Sequence, residues 1–333
     1  MSGSPTPQVT SGAGGTSQPH TGSRLGSRYG DIGRAPYFRQ NKLRKRRPGW
    51  LMVLPVQLLF AAFFIVPFGY TIYESVTSPL TGHLTGFTNF RFALGSSSMW
   101  SAITRVAYFG AIQVTVMVLL ALGLAFVIDS PLCVGKRLFR LLYFLPYAVP
   151  GVLAAIMWGF LYSPTLDSLL GLPVSLGLAH APPNPLSSNF VLYAIMLIVT
   201  WEWTGYNMTL YLTSLSSIPD AVLDAAVIDG CSQLKLIRYV KLPMIRRMMF
   251  FTLVLSVIGT LQLFNEPQII SAITPLPTNY TPNMAIYNEA FNIGNLPLAA
   301  AMSLVLGALT VGASLVFYFV WRRFGIRNAR ASQ

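Results

Sequence analysis

Charged residues make up 10% of the 333-residue chain and hydrophobic residues 53%. A soluble domain of this size carries roughly a quarter charged residues, so the composition argues against a water-solvated globule and for lipid around much of the surface. The formal net charge of +13 suits either nucleic acid or an anionic membrane face, and the placement of the basic residues decides between them.

Residues 1–40 are rich in Gly, Ser, Thr and Pro and nearly lack large aliphatic side chains. Such a stretch cannot bury enough apolar surface to offset its ordering entropy, and 1–49 is expected to be a disordered, basic, cytoplasmic tail. The first apolar run begins at Leu51 and is too long for the core of a signal peptide, so it is expected to be retained as a helix. A helix crossing the hydrocarbon layer needs about 20 mostly apolar residues. Six segments qualify, near 51–75, 104–128, 139–162, 190–212, 248–271 and 297–321. Pro67, Pro146, Pro150 and Pro267 fall inside them and predict kinks, tolerated where neighbouring helices or water satisfy the freed backbone groups.

Of the 23 lysines and arginines, all but Arg91 and Arg105 lie before the first span, in the second-to-third and fourth-to-fifth connections, or in the tail. An all-α membrane protein of six helices with both termini in the cytoplasm puts that charge on one side, as the positive-inside rule requires. The run Lys42–Arg47, directly before a span, reads as a cytoplasmic anchor rather than a nucleic-acid patch. Cys133 and Cys231 both fall in cytoplasmic segments, so no disulfide is expected. The outer connections, 76–103 and 163–189, are rich in Gly, Pro and Ser with scattered apolar residues. The second reads as a short surface helix and coil, and either could be an ordinary interfacial loop or meet an external partner.

The connection between spans four and five is the most informative. Ser216 or Ser217 could cap a helix, Pro219 suits its first turn, and Asp220 and Asp224 sit toward the positive end of its dipole. Ala221, Ala225 and Ile228 recur on one face, Gly230 permits a sharp turn, and Ser232 could cap a second helix that Pro243 ends at the fifth span. A helix–glycine–helix of this kind is shaped for a groove on another protein, although a plain elbow would share the pattern.

Asp224-Ala225-Ala226, Gly230 after three intervening residues, then Val240-x-Leu242-Pro243 nine residues on, resembles the EAA loop of bacterial ABC importer permeases. Asp224 stands where that family has Glu and Val240 where it has Ile. Trp201, Gly205-Tyr206-Asn207-Met208 and Ile218-Pro219 resemble the carbohydrate-uptake branch. Leu54-Pro55 with Pro67, Tyr287-x-x-Ala290-Phe291 and Arg322-Arg323-Phe324 resemble its first-subunit class, typified by maltose and glycerol-phosphate permeases. Thr274-Pro275-Leu276-Pro277 replaces the glycine-rich turn common there. The resemblance covers roughly 50–325, the implied permease domain, leaving 326–333 as a cytoplasmic tail.

The resemblance implies a transport subunit of the bacterial cytoplasmic membrane rather than an enzyme. It implies a second homologous permease, two ATPase subunits and an extracellular solute-binding protein as partners. Asp220, Asp224, Ala225, Ala226, Asp229, Gly230, Leu242 and Pro243 would couple the chain to the ATPases. No phosphate-cradling Gly-x-x-x-x-Gly-Lys-Ser/Thr run occurs: before Gly135-Lys136 the upstream glycine position is Ser130, and Arg137 follows. Nor is there a clustered His/Cys set for a metal. No cofactor is expected on this chain, and ATP with Mg would sit in the partner ATPases.

Glu202, mid-span, is costly in hydrocarbon and hence a functional candidate. Trp201, Trp203, Tyr206 and Asn207 flank it, offering ring faces and an amide to the C–H faces and hydroxyls of a sugar. In the fifth span Gln262, Asn265, Glu266 and Gln268 could share a helical face. These groups read either as the lining of a substrate pathway or as interhelical glue. The paucity of basic residues within the spans argues against a strongly anionic cargo. A lipid-linked glycosyl transferase would need acidic or metal-binding clusters at the membrane edge, and a secondary transporter would work without an ATPase; neither explains the loop.

Overall fold

The structure, a computed structural model, describes residues 46–79, 81–163 and 184–330. Most of the expected N-terminal tail, most of the 163–189 connection and the last three residues therefore lie outside the described residues. Among the described residues the backbone is helical, with one isolated antiparallel bridge, Thr77 to Leu84, and no strand.

The chain divides into two compact units, Met1–Phe60 and Ala61–Gln333. The described part of the first is α1 (Arg46–Phe60), with Pro55 inside it. The second holds α2 (Val66–Ser75), α3 (Thr88–Gly95), α4 (Ser97–Asp129), α5 (Lys136–Phe144), α6 (Gly151–Leu161) and α7 (Val191–Leu215). It continues with α8 (Asp220–Ile228), α9 (Gln233–Leu236), α10 (Leu242–Leu261), α11 (Asn265–Ile270), α12 (Pro282–Tyr287) and α13 (Leu296–Arg330).

Four helical runs are long and apolar enough to cross a membrane: Met52–Ser75, Ser97–Asp129, Gln233–Ile270 and Leu296–Val320. A fifth is added if the bent pair Lys136–Ala148 and Gly151–Leu161 counts as one span. The expected fourth span, α7, has 25 residues but is not among these runs. Its middle carries Glu202, Thr204, Tyr206 and Asn207, so its polarity matches a helix enclosed by other helices rather than by lipid. α4 starts at Ser97, two turns before the expected 104, because the Ser96 side chain caps it by accepting from the Met99 N–H.

Two breaks shape the interior. The expected third span bends by 97° between Ala148 and Gly151. Pro150 has no N–H to give, and Val149 before it is held extended. The expected fifth span is interrupted at 262–264, between α10 and α11. Pro267 cannot donate to the carbonyl four residues back, at Leu263, so the helical ladder cannot run through. Gln262, Asn265, Glu266 and Gln268 therefore do not share one continuous helical face: Gln262 sits in the turn that ends α10, and Asn265, Glu266 and Gln268 belong to α11.

α7 is the central element, packed most extensively on α4 and touched by α5, α6, α10 and α11. At its C-terminal half, Met208, Tyr211, Leu212 and Leu215 meet Ala121, Ala125 and Ile245. At the other half, Ile195 and Ile198 meet Phe109, Ala154 and Ile270. The Tyr211 hydroxyl pairs with the Thr252 hydroxyl at 2.6 Å, tying α7 to α10. α5 approaches so closely that a Cβ on Gly205 would lie 1.6 Å from the Tyr143 carbonyl oxygen. Large apolar side chains face outward, among them Phe63, Phe64, Val316 and Phe319. In a membrane chain that surface is solvated by lipid tails and needs no other cover.

Candidate functional site

The turn at 262–264, the bend after α5 and the polar middle of α7 together enclose a cavity of about 440 Å³. α7 contributes Val199, Trp203, Tyr206 and Asn207, and α4 contributes Gln113 and Met117. Tyr147 enters from the bend, Ser256 and Thr260 from α10, and Gln262, Asn265 and Glu266 from the turn and α11. The aromatic rings form one platform. Tyr147 stacks on Tyr206 with centroids 4.6 Å apart, and Trp203 stands edge-on to both, at 5.3 and 5.9 Å. Asn207 Nδ2 donates to the Trp203 carbonyl at 3.0 Å and to the Met117 sulfur, which the Gln113 amide also reaches. A soft sulfur shared by two amides holds them weakly, so a hydroxyl-bearing solute can compete for them.

Of the pathway residues expected from sequence, Trp203, Tyr206, Asn207, Gln262, Asn265 and Glu266 line this cavity. Trp201 packs instead in the apolar cluster, edge-on to Trp158 at 5.8 Å. Glu202 lies behind the lining, its carboxyl adjoining that of Glu266. A methyl group on Gly151 would sit 2.6 Å from Glu266 Oε1 and 3.6 Å from Glu202 Oε1, so both acids crowd the start of α6. The Gln268 carbonyl accepts from the Ser271 hydroxyl, and Gln268 is not in the lining. Sequence reasoning missed Gln113 and Tyr147. The signals available were a lone amide in the apolar run of α4 and a tyrosine bracketed by Pro146 and Pro150.

In the connection between α7 and α10, Pro219 is the N-cap of α8. The Ser217 hydroxyl donates to the Ser214 carbonyl, so neither serine caps α8, contrary to expectation; the proline's extended backbone sets the entry. Gly230 turns the chain with φ +81°, where a side chain would be strained. Ser232 precedes α9 as expected but makes no side-chain cap bond. Ala226 and Ile218 are buried, whereas Asp220, Ala221, Asp224, Ala225, Asp229 and Gly230 are exposed. So are Val227, Ile228, Leu234 and Tyr239, with Ile228 84% exposed. Pro243 is exposed and Leu242 half-buried where α10 begins. Lys241 pairs with Asp129 at 2.5 Å, and Lys136 donates to the Asp129 carbonyl, fastening the loop's return to the end of α4. Among the described residues there is no cluster fit to hold a metal ion, and both cysteines are free.

Residues 117–326 match the family described as binding-protein-dependent transport system inner membrane component. The chain belongs to this family. It is 30% identical to the lactose transport system permease protein of Rhizobium radiobacter, covering 82% of this chain and 94% of that one. It is equally similar, with the same coverage, to the sn-glycerol-3-phosphate transport system permease protein of Yersinia enterocolitica. A trehalose/maltose transport system permease protein of Thermococcus litoralis is 24% identical over 84% of this chain and 96% of that protein. Among solved structures, a chain of a bacterial ABC transporter involved in the import of the acidic polysaccharide alginate has the same fold, with a TM-score of 0.74 at 18% identity. That match covers 84% of this chain and 96% of the other. As a member of this transport family, the chain has the 117–326 region in common with it, and that region contains the α8–Gly230 loop and most of the cavity lining.

Proposed function

We propose that this chain is a permease subunit of an ATP-driven sugar importer in the bacterial cytoplasmic membrane, forming half of the pathway for a di- or oligosaccharide or related polyol. The observation that carries the reading is the cavity: an aromatic platform of Tyr147, Trp203 and Tyr206 faces the amides of Gln113, Asn207 and Gln262. Rings take the C–H faces of a sugar and amides take its hydroxyls. Lactose and trehalose/maltose relatives support the cargo class.

In this reading six helices cross the membrane with both termini inside, α7 being the span enclosed by the others. A second homologous permease completes the pathway, and an extracellular binding protein delivers the solute. One solved alginate transporter of this fold is in complex with its periplasmic protein, which fits that arrangement. Two ATPase subunits bind ATP and Mg, and this chain binds neither. The ATPases grip the exposed α8 and the Gly230 turn, with Asp220, Asp224, Ala225, Asp229 and the following Leu242-Pro243 at the contact. Apolar side chains such as Ile228 and Leu234, exposed on a cytoplasmic loop, suit a protein partner better than water. ATP binding then biases a two-state membrane element through a rigid lever.

Gln262→Ala and Glu266→Ala are expected to cut uptake while leaving assembly with the ATPases intact. Uptake equal to wild type in both variants would remove the cavity from the pathway.

A further inference from the structure

We infer that this chain's wall of the pathway selects by charge, admitting uncharged sugars and turning away anionic ones, with Glu266 as the specificity-determining residue. The inference rests on the cavity being part of the pathway. It goes further by separating the neutral cargo of some relatives from the phosphate-bearing cargo of others.

Among the described residues the lining contains no lysine, arginine or histidine. Its polar groups are amides, hydroxyls and one carboxyl, that of Glu266. Glu266 is 8% exposed, and Glu202 directly behind it is 4% exposed. Glu202 Oε1 has no hydrogen-bond partner among the described residues. A phosphate or carboxylate entering this space would meet a carboxyl pair and no cation, whereas anion sites are built from arginine, lysine or rows of N–H donors.

Arg105, within the Ser97–Asp129 run, is engaged elsewhere. The Arg105 guanidinium donates to the carbonyls of Asn279 and Tyr280 at 3.2 and 2.9 Å and lies over the Tyr280 ring. Lys241 is paired with Asp129 at the loop. Neither lines the cavity. An uncharged sugar has no such need: the carboxyl of Glu266 accepts from its hydroxyls, and the ring platform covers its apolar face. Since an alginate importer has the same fold, the fold does not dictate the sign of the cargo and the side chains must.

The test uses the assembled importer, purified in detergent with its partner permease and ATPases. Two probes differ at C6 alone, methyl β-glucoside with a hydroxymethyl and methyl β-glucuronide with a carboxylate, and binding is read by saturation-transfer NMR. The wild type is expected to bind the glucoside roughly tenfold or more tightly than the glucuronide. Glu266→Gln should narrow that ratio and Glu266→Lys should narrow it further or invert it. Because Glu266→Lys places an ammonium in a buried site, Gln262→Lys, at a more exposed lining position, supplies the same charge independently. Equal binding of both probes in wild type, or a ratio unmoved by every variant, would overturn the charge filter and leave the pathway standing. Binding of neither probe by a fully assembled wild type would overturn the pathway reading, and the filter with it.

Discussion

Gly205→Ala tests how the cavity wall is held. The added Cβ would lie 1.6 Å from the Tyr143 carbonyl oxygen and 2.4 Å from its carbon, against a least tolerable separation near 3.0 Å. The atom it meets is backbone, so no side-chain rotation relieves the clash. The end of α5 must retreat from α7 by about 1.4 Å, the difference between those two oxygen distances. Tyr147, four residues on, rests on Tyr206 with centroids 4.6 Å apart, and the retreat would carry it to about 6 Å, loosening that stack within the range where rings still interact. Overpacking costs about 1–3 kcal/mol, and a destabilisation of that size is expected. The assays are thermal unfolding of the purified complex and uptake in cells, with Gly307→Ala, which meets nothing within 4 Å, as the control. A Gly205→Ala protein with wild-type melting and uptake would refute the claim that this close approach positions the aromatic wall.

Tyr211→Phe deletes the hydroxyl bonded to Thr252, yet Thr252 keeps its bond to the Met249 carbonyl, so no orphaned group remains. The expected loss is about 0.6 kcal/mol, the typical value for a hydrogen bond between membrane helices, read as a small drop in melting temperature with uptake retained. Lys241→Ala breaks the pair with Asp129, whose side chains are 12% and 23% exposed, and should cost on the order of 1–2 kcal/mol. The charge swap Asp129→Lys with Lys241→Asp should recover most of that loss, and a swap no better than either single change would show that the pair does not fasten the loop.

The α8–Gly230 turn was legible because its signals are local. A proline starts the helix, and a glycine takes a backbone conformation, φ +81°, that other residues resist. The serine caps were misread because Ser217 had a nearer partner, the Ser214 carbonyl, and Pro219 already set the extended entry. The prolines announced breaks in the third and fifth expected spans. They could not give the 97° bend, which depends on what packs against α6 and α7. Of the polar set after α10, Gln262, Asn265 and Glu266 line the cavity and Gln268 does not; Pro267 signals a kink in the sequence but not that the helix stops at 262–264. Gln113 went unnoticed because one amide in a long apolar helix carries no local signal; only folding brings α4, with Gln113 and Met117, against Asn207 of α7. The pairing of Glu202 with Glu266 likewise joins residues from different helices, a contact that periodicity cannot reveal.

The sharpest test of the ATPase-docking claim is a site-specific crosslink from Ile228, 84% exposed at the end of α8, in the assembled importer. A photoreactive residue there is expected to capture an ATPase subunit in high yield, and less when nucleotide moves the subunits. Capture of lipid or the extracellular binding protein, with no ATPase adduct in an intact complex, would contradict it.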